Sequence, residues 1–214
     1  GAPRSMTTGG ERTSNLIRLR ADLHTHAIGD GRFGANTADL VARHLDGALE
    51  AGLDVIGVTD HDDLRPGLLA IEEAERRNLP LLVLAGMEVT TDDGHLVVLG
   101  LRTPLKAWRS MNETIALARE QETLVIVPHP FFVALREQTG IDAIERLNHR
   151  YGDFDVTRDD IAVIASSDAH SAADLAANPQ RTLLDVTERS WHGVVDALLN
   201  RRATIVPAGW GRGD

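Results

Sequence analysis

The sequence predicts a single α/β domain built around a largely parallel sheet or barrel. Short apolar runs alternate with segments of helical periodicity through most of the 214 residues, a pattern typical of successive β–α units. Histidines and carboxylates follow the ends of several apolar runs, where an α/β barrel presents side chains to one mouth. Because 43% of the residues are hydrophobic, the chain can bury a substantial core.

In the first half of the chain, each predicted element has its own local signal. Residues 16–23 alternate apolar and charged side chains, which indicates a strand. Residues 37–51 carry an apolar stripe of helical spacing, with Thr37 as the predicted N-cap. A second helix is predicted over 66–77, with Pro66 in its first turn. Further strands are predicted at 54–59, 81–85 and 96–101, the last two on either side of a turn at 91–94.

The second half continues the alternation, with one ambiguous region. Helices are predicted over 111–120 and 191–201. Residues 141–147 fit either a helix or a short strand, and 149–160 are expected to be loop. Strands are predicted at 124–127, 161–165, 181–186 and 203–206.

Composition and charge narrow the classes of function. The formal net charge is −10, and because an acidic surface repels phosphates, we expect no binding to duplex nucleic acid. No apolar run approaches the length of a membrane span and cysteine is absent, so we expect a cytoplasmic protein with no membrane partner. Residues 1–15 are expected to be a tag remnant and flexible N-terminus, followed by one barrel domain over 16–210. The oligomeric state stays open.

Six of the nine histidines occur in short clusters beside a carboxylate, a glycine or a proline. Imidazole and carboxylate groups are ligands for zinc, manganese or iron, and without cysteine any metal must rest on nitrogen and oxygen. His24 and His26 are two residues apart and so share one face of a strand. The set predicts a metal-dependent hydrolase. Its residues of ligand type are His24, His26, His61, Glu88, His95, His129, Asp168 and His170.

Taken in order, these motifs resemble those of the PHP family, the polymerase and histidinol phosphatase domains. The resemblance implies a distorted (β/α)7 TIM-like barrel with its metal site at the C-terminal ends of the strands. It also implies two or three divalent metal ions (Mn, Fe or Zn) and the activity of a small metal-dependent phosphoesterase. The matching motifs are HxH at 24–26, TDH at 59–61, a lone Glu88, Gly-His at 94–95, His-Pro at 129–130 and DxH at 168–170.

The same resemblance distributes the ligands over three metal positions. It implies hydrolysis of a small phosphate ester or nucleotide-like substrate through a metal-bridged hydroxide, so the expected partner is a small phosphorylated substrate. The implied first position is formed by His24, His26, Glu88 and Asp168. In the second, Glu88 acts as a bridge together with His95 and His129, and the third consists of Asp30, His61 and His170.

Charged residues around His61 are candidates for further roles. Asp60 and Asp62 flank it and are candidate catalytic residues that orient the imidazole or move a proton. The alternative for both is an ordinary loop or helix-cap carboxylate. Arg65 is a candidate for binding substrate phosphate, with a solvated surface arginine as the alternative.

The segment after His129 contributes two more candidates. Asn148 is a predicted substrate-binding residue, because a Glu145…Asn148 pair resembles the family's pattern. Phe131 and Phe132 either stack on a base or other aromatic leaving group or pack in the core under the loop.

Three other functions stay open at this stage. A PHP-like domain without catalysis would bind a partner or a phosphorylated ligand. Amidohydrolases also begin with HxH and end on a strand-terminal aspartate, but many bridge their metals with a carboxylated lysine, and here the sole lysine, Lys106, lies in a predicted loop. An NAD(P)-binding oxidoreductase is the least favoured, because the GxGxxG match at 29–34 does not follow its strand directly.

Overall fold

The computed structural model describes residues 15–177 and 182–206. The tag remnant and flexible N-terminus expected over 1–15 lie outside these residues except for Asn15, as do residues 207–210 of the expected domain. Within the described part of the chain, no helix combines the length and the apolar composition needed to cross a membrane.

Strands and helices alternate over most of the described residues. The strands are β1 (Ile17–Thr25), β2 (Val55–Val58), β3 (Leu82–Thr91), β4 (Gly94–Leu99), β5 (Leu124–Val127), β6 (Ala143–Asn148), β7 (Gly152–Asp153), β8 (Ala162–Ser166), β9 (Thr182–Val186) and β10 (Ala203–Ile205). The helices are α1 (Thr37–Glu50), α2 (Arg65–Arg76), α3 (Met111–Arg119), α4 (Val133–Arg136), α5 (Ala172–Ala177) and α6 (Trp191–Leu199).

Seven of the strands form a distorted TIM-like barrel in the order β1-β2-β3-β4-β5-β6-β8. The pairs β1–β2, β2–β3, β5–β6 and β6–β8 are parallel, as the alternation of strands and helices predicts. Strand β4 is antiparallel to both of its neighbours, because a tight turn joins it to β3 without a crossover helix. The largely parallel sheet predicted from the sequence is therefore interrupted at one strand.

The residues after β8 close the ring against the C-terminal end of β1. The amide of Asp168 donates to the carbonyl of His24 at 3.0 Å, and the amide of His26 donates to the carbonyl of Ala169 at 2.8 Å. These bonds bring the HxH and DxH motifs side by side. On its other edge β1 pairs antiparallel with β9, which pairs in turn with β10.

The barrel interior is a packed apolar core below the mouth. Each of the seven barrel strands contributes buried side chains to one cluster, and α6 adds Val194, Ala197 and Leu198 to it. Helices α1 and α2 cover the outside of β2 and β3 through a second cluster, in which Val41, Leu45 and Ala48 of α1 repeat at helical spacing. A filled interior leaves the strand ends as the place for chemistry.

Several local features differ from the sequence prediction. Thr37 is the first residue of α1 rather than its N-cap, and its hydroxyl instead accepts a hydrogen bond from the amide of Gly34 at 2.7 Å. The ambiguous segment 141–147 forms β6. Helices α4 and α5 were not predicted, because each has six residues or fewer and too few turns to show a periodic stripe.

Candidate metal centre

The side chains of ligand type meet at the C-terminal mouth of the barrel. His24 is the second-to-last residue of β1, and His26 is the first residue after this strand. His61 follows β2, His129 follows β5, and both Asp168 and His170 follow β8. Because the C-terminal ends of the parallel strands face one edge, residues separated by up to 144 positions in sequence come into contact.

Glu88 is the exception in position, since it lies within β3 rather than after its end. Strand β3 continues past the sheet edge because it pairs with β4, with Thr90 opposite His95. Glu88 and Thr90 face the same side of β3, so Glu88 is a diagonal neighbour of His95 across the hairpin. The antiparallel hairpin therefore supplies two ligand-type side chains from adjacent strands.

The carboxylate of Glu88 is the centre of the site. Its Oε2 lies 3.0 Å from His24 Nε2 and 3.2 Å from His26 Nε2, with His61 Nδ1 at 3.3 Å. Its Oε1 lies 2.8 Å from His95 Nδ1 and 2.8 Å from His129 Nε2. The two oxygens thus face two different groups of imidazoles, which is the geometry of a bridging carboxylate.

A second carboxylate, Asp168, completes the group around the HxH motif. Its Oδ1 lies 3.1 Å from His26 Nε2 and 3.6 Å from His24 Nε2, yet this buried oxygen makes no hydrogen bond. The Nε2 atoms of His24 and His26 are only 3.2 Å apart. Asp168 has a φ of +54°, a left-handed conformation that is uncommon for a non-glycine residue and occurs often at functional sites.

His61, His170 and Asp30 form the outer part of the mouth. The rings of His26 and His61 stack with centroids 4.5 Å apart, and those of His26 and His170 are 4.2 Å apart. His170 Nε2 lies 3.4 Å from Asp30 Oδ1, whose side chain is 81% exposed. Gly29, with a φ of +58°, allows this approach, because a Cβ there would lie 2.7 Å from the carbonyl oxygen of His170.

The donor atoms fit divalent cations. Each of three groups has one donor atom per residue with all of these atoms within 4.8 Å of one another, and atoms about 2 Å from a shared ion lie at most about 4 Å apart. The orphaned Asp168 Oδ1 is the kind of buried acceptor that a cation satisfies. The groups are His24, His26, Glu88 and Asp168; His26, His61 and His170; and His61, Glu88 and His95.

These groups overlap the predicted ligand sets with two differences. The first group equals the predicted first position. His129 stands outside the second group although its Nε2 contacts Glu88 Oε1, and His61 belongs to two groups rather than one. The structure thus brings together all nine predicted metal ligands, and the division of ligands among ions stays a prediction.

The electrostatics of the centre favour positive charge. Burial alone lowers the pKa of His24, but the surrounding Asp168, Glu88 and Glu145 carboxylates raise that pKa well above its ordinary value. Burial raises the pKa of Glu88, and the histidines around it bring that pKa well below its usual range. Among the described residues, the ion-pair partners of Glu88 and Asp168 are all histidines. A metal cation at this point would compensate the negative charge of these two carboxylates, which no arginine or lysine among the described residues contacts as an ion pair.

Glu145 contacts the ring nitrogen of His24 that faces away from Glu88. It is fully buried in β6, and its Oε1 accepts a hydrogen bond from His24 Nδ1 at 2.8 Å. This contact leaves Nε2 of His24 facing the centre, as carboxylate–histidine pairs do in metal sites. Its Oε2 accepts from the amide of His129 at 2.8 Å. The sequence offered Glu145 only as part of a pair with Asn148, and its position on a strand was the missing signal.

Asn148 is also buried, and its side chain is hydrogen-bonded to carboxylates of the site. Its amide group donates to Glu145 Oε2 at 2.9 Å and to Asp168 Oδ2 at 3.2 Å. Its Oδ1 accepts from the amide of Arg150 at 3.0 Å. In this arrangement Asn148 fixes two carboxylates, and direct contact with a substrate stays a prediction.

The two aspartates beside His61 tie loops together. The carboxylate of buried Asp60 accepts from the amides of Ala27 at 3.1 Å and Ile28 at 2.9 Å, and burial raises the pKa of Asp60 to about 6. The carboxylate of Asp62 accepts from the amide and the hydroxyl of Thr90 at 2.7 and 2.8 Å. These bonds support the loop alternative, and a catalytic role for either residue is untested.

Arg65 borders a cavity next to His61. The cavity has a volume of about 410 Å³ and is also lined by Asp30 and Phe33. The Arg65 guanidinium binds the Asp63 carboxylate through two hydrogen bonds of 2.9 and 2.7 Å and lies 4.4 Å above the Phe33 ring. Its position beside His61 suits the predicted contact with substrate, although Asp63 already compensates its charge.

The remaining candidates lie away from the centre. Lys106 is exposed in the loop between β4 and α3, and Glu88 lies at the centre of the site, where a modified lysine bridges the metals of many amidohydrolases. His192 is exposed in α6. His44 is buried in α1, and its Nε2 lies 2.9 Å from the hydroxyl of Thr25, between the two ligands of the HxH motif.

Comparison with known proteins finds solved structures that share this fold. No protein-family model matches the chain. An uncharacterized protein of Methanocaldococcus jannaschii is 29% identical over 119 residues, which cover 53% of this chain and 68% of that protein. A similar solved structure is a two-domain protein from Bacteroides vulgatus, which contains a predicted PHP-like metal-dependent phosphoesterase. It has a TM-score of 0.74 and 22% identity, over 96% of this chain and 69% of that one.

A second similar structure is a lesion-specific endonuclease from Pyrococcus furiosus. It has a TM-score of 0.63 and 16% identity, over 88% of this chain and 58% of that chain. At these identities the similarity defines architecture rather than chemistry. The class is thus a distorted TIM-like barrel, and within that class the chain has the PHP-like fold that its motifs predicted.

Proposed function

We propose that this protein is a metal-dependent phosphoesterase that hydrolyses a small phosphate ester or nucleotide-like substrate. The observation that carries the proposal is the position of Glu88, whose two carboxylate oxygens face two groups of histidines at the barrel mouth. A bridging carboxylate is what a centre of two or more adjacent divalent ions needs. The similarity to PHP-like structures supports the same class.

His24, His26, Glu88 and Asp168 would hold the first ion. The further ions would lie among His95, His129, His61, His170 and Asp30. The site would hold two or three divalent ions. Their identity would be Mn, Fe or Zn, since imidazole and carboxylate donors suit all three metals. Bound there, they would neutralise phosphoryl oxygens and bring the pKa of a water toward neutrality.

The protein's own part is to hold these donors in a rigid arrangement. Glu145 Oε1 contacts Nδ1 of His24, so that Nε2 would be the ring nitrogen that faces an ion. Burial lowers the pKa of His61 and of His170, which keeps both imidazoles in the neutral form that binds metals. Arg65, which lines the cavity beside His61, is the predicted contact for the substrate phosphate.

The test is phosphatase activity of the purified protein stripped with chelator and reloaded with Mn²⁺, Fe²⁺ or Zn²⁺. Substrates are p-nitrophenyl phosphate, its bis-ester, glycerol phosphate and nucleoside monophosphates. We expect turnover only in the reloaded protein, abolished in Glu88→Gln and retained in His192→Gln, an exposed histidine of α6. Circular dichroism shows whether each variant is folded.

Two results would contradict the proposal. Absence of turnover on the whole panel by metal-loaded protein favours a domain that binds a phosphorylated ligand without catalysis. Hydrolysis of amides or lactones in place of phosphate esters favours the amidohydrolase alternative.

A further inference from the structure

A group of aromatic side chains lies at one side of the metal centre. The chain has only four phenylalanines and one tyrosine, and three of those phenylalanines with the tyrosine lie between residues 131 and 154. The side chains of Phe131 and Tyr151 remain about half accessible, with 49% and 51% exposure. Large apolar groups left open beside a polar site mark a binding surface.

The aromatic wall, defined as Phe131, Tyr151 and Phe154, is continuous with a ligand of the centre. The His129 ring lies 5.0 Å from Phe131 and 5.2 Å from Tyr151, measured between centroids, and the Phe131 and Tyr151 rings are 4.9 Å apart. Phe154 contacts Phe131 at 5.5 Å and packs against the apolar cluster of β3–β5. The wall is therefore anchored in the core at one end and touches His129 at the other.

The backbone holds the wall in place through the metal site itself. Buried Asn148, which donates to Glu145 and Asp168, also accepts the amide of Arg150 on its Oδ1 and the amide of Tyr151 on its carbonyl, at 3.0 and 3.2 Å. On the other side, the amide of Phe131 donates to the carbonyl of His129 at 2.7 Å across Pro130. Both exposed rings thus sit on turns that the ligand shell fixes, which preorganises the surface.

From this geometry we infer that the substrate is a phosphate ester whose leaving group carries an aromatic ring, and that this ring packs on Phe131 and Tyr151. The inference rests on the proposed function, because it needs the phosphoryl group at the metal centre. In an aryl ester a single oxygen separates phosphorus from the ring, so a phosphoryl group near His129 brings its ring within reach of the wall. A nucleobase reaches the same surface from the far side of its ribose.

Binding of phosphonates tests the ring contact without any need for turnover. Phenylphosphonate and cyclohexylphosphonate carry the same charged group and rings of similar size, and only the first has a π face. Aromatic pairs contribute about 0.5–1.5 kcal/mol beyond burial. By calorimetry on metal-loaded protein we therefore expect phenylphosphonate to bind roughly threefold to tenfold more tightly.

Two variants should remove this preference, and one should not. Phe131→Leu and Tyr151→Leu each keep an apolar side chain but lose a ring face, so the ratio of the two affinities should fall toward one. Phe132→Leu is the matched control, because Phe132 is 66% exposed on the same turn and is not part of the wall. Thermal unfolding checks each variant, and Tyr151→Leu, in an exposed turn, serves if Phe131→Leu is unstable.

The source of the ring is distinguished by a second pair of ligands. A KM for adenosine 5′-monophosphate well below that for ribose 5-phosphate, lost in Tyr151→Leu, assigns the surface to a nucleobase. Tight binding of phenylphosphonate without that difference assigns it to a phenolic ring.

Equal affinities of the two phosphonates, binding of neither, or a preference that survives both variants would overturn the inference. A dimer that dissociates in Phe131→Leu would also overturn it, because the wall would then be covered by a second copy of the chain. Failure of the proposed function has a different signature, namely absence of turnover while the phosphonate preference remains.

Discussion

At the scale of single residues, the buried carboxylate behind His24 is the sharpest test of the site. Glu145→Gln keeps the volume but removes the charge that faces His24 Nδ1. A single amide oxygen also cannot accept from His24 on one side and from both His129 and Asn148 on the other. Because supporting groups of this kind typically change metal affinity by 10–100-fold, we expect a loss of about that size.

The measurement is Mn²⁺ affinity by competition with a chelator, at one pH and with folded protein checked by circular dichroism. Glu72→Gln, at an exposed position of α2, is the control and should bind Mn²⁺ like the original protein. Unchanged affinity in Glu145→Gln would mean that the hydrogen bond to His24 does not support the centre.

His44 gives a residue-scale prediction about pH. The Thr25 hydroxyl donates to the Gly57 carbonyl at 2.7 Å, so it accepts from His44 Nε2–H, and His44 Nδ1 has no hydrogen-bond partner. Burial, with the charges of His26 and His170 that face it, lowers the pKa of His44 from 6.5 to about 3. The imidazole of His44 is therefore neutral in the folded protein at neutral pH.

The sign follows from where the proton binds. Between pH 6.5 and about 3, the unfolded chain protonates this histidine and the folded protein does not, so stability falls as the pH falls through that window. His44→Gln should reduce the slope of unfolding free energy against pH, at most by about 1.4 kcal/mol per pH unit. Urea titrations of metal-free protein measure it, with His192→Gln as control. Parallel slopes in His44→Gln and the original protein would show that His44 takes up its proton in the fold.

At the scale of elements, the close contact between β1 and β2 sets the position of the HxH motif. A Cβ on Gly57 of β2 would lie 2.5 Å from the carbonyl oxygen of Leu23 and 2.8 Å from its carbonyl carbon. Gly57→Ala must push the strand bearing His24 away from β2. Overpacking of this kind costs about 1–3 kcal/mol, which lowers the melting temperature by roughly 2–12 °C in a chain of this size.

Differential scanning calorimetry and Mn²⁺ affinity should both change in Gly57→Ala. Gly34→Ala is the matched control, since the nearest atom to its added Cβ would be 3.8 Å away. A Gly57→Ala variant with the original melting temperature would show that the strands can separate without cost.

The elements also show where sequence reasoning succeeds and where it stops. The apolar runs located six of the seven barrel strands, and the order of the motifs located their mouth, because five of these runs had a ligand-type residue shortly after them. The reversed direction of β4 was hidden in a turn of two residues, Asp92 and Asp93, between β3 and β4. Glu145 was hidden because its segment fitted a helix and a strand equally, and only the strand turns its carboxylate toward His24.

At the scale of the whole molecule, the fold concentrates buried carboxylates at one end of the barrel. Glu88, Glu145 and Asp168 are each at most 3% exposed, and burial of charge is costly unless it is compensated. These three carboxylates come from β3, β6 and the segment after β8. A cation there joins β1, β3, β4 and the segment after β8 in one set of contacts, so metal binding and the stability of the barrel should be coupled.

This coupling predicts that metal stabilises the protein as a whole. A ligand that binds only the folded state at one hundred times its dissociation constant adds about 2.7 kcal/mol, which corresponds to a rise of roughly 5–10 °C in melting temperature. Chelator-stripped protein titrated with Mn²⁺ in a calorimeter should show this rise, and Glu88→Gln should show much less of it, because its amide cannot bridge two groups of histidines. Glu72→Gln should behave like the original protein. If neither Mn²⁺, Fe²⁺ nor Zn²⁺ raises the melting temperature of the stripped protein, the convergence of these side chains does not form a metal centre, and the phosphoesterase proposal fails with it.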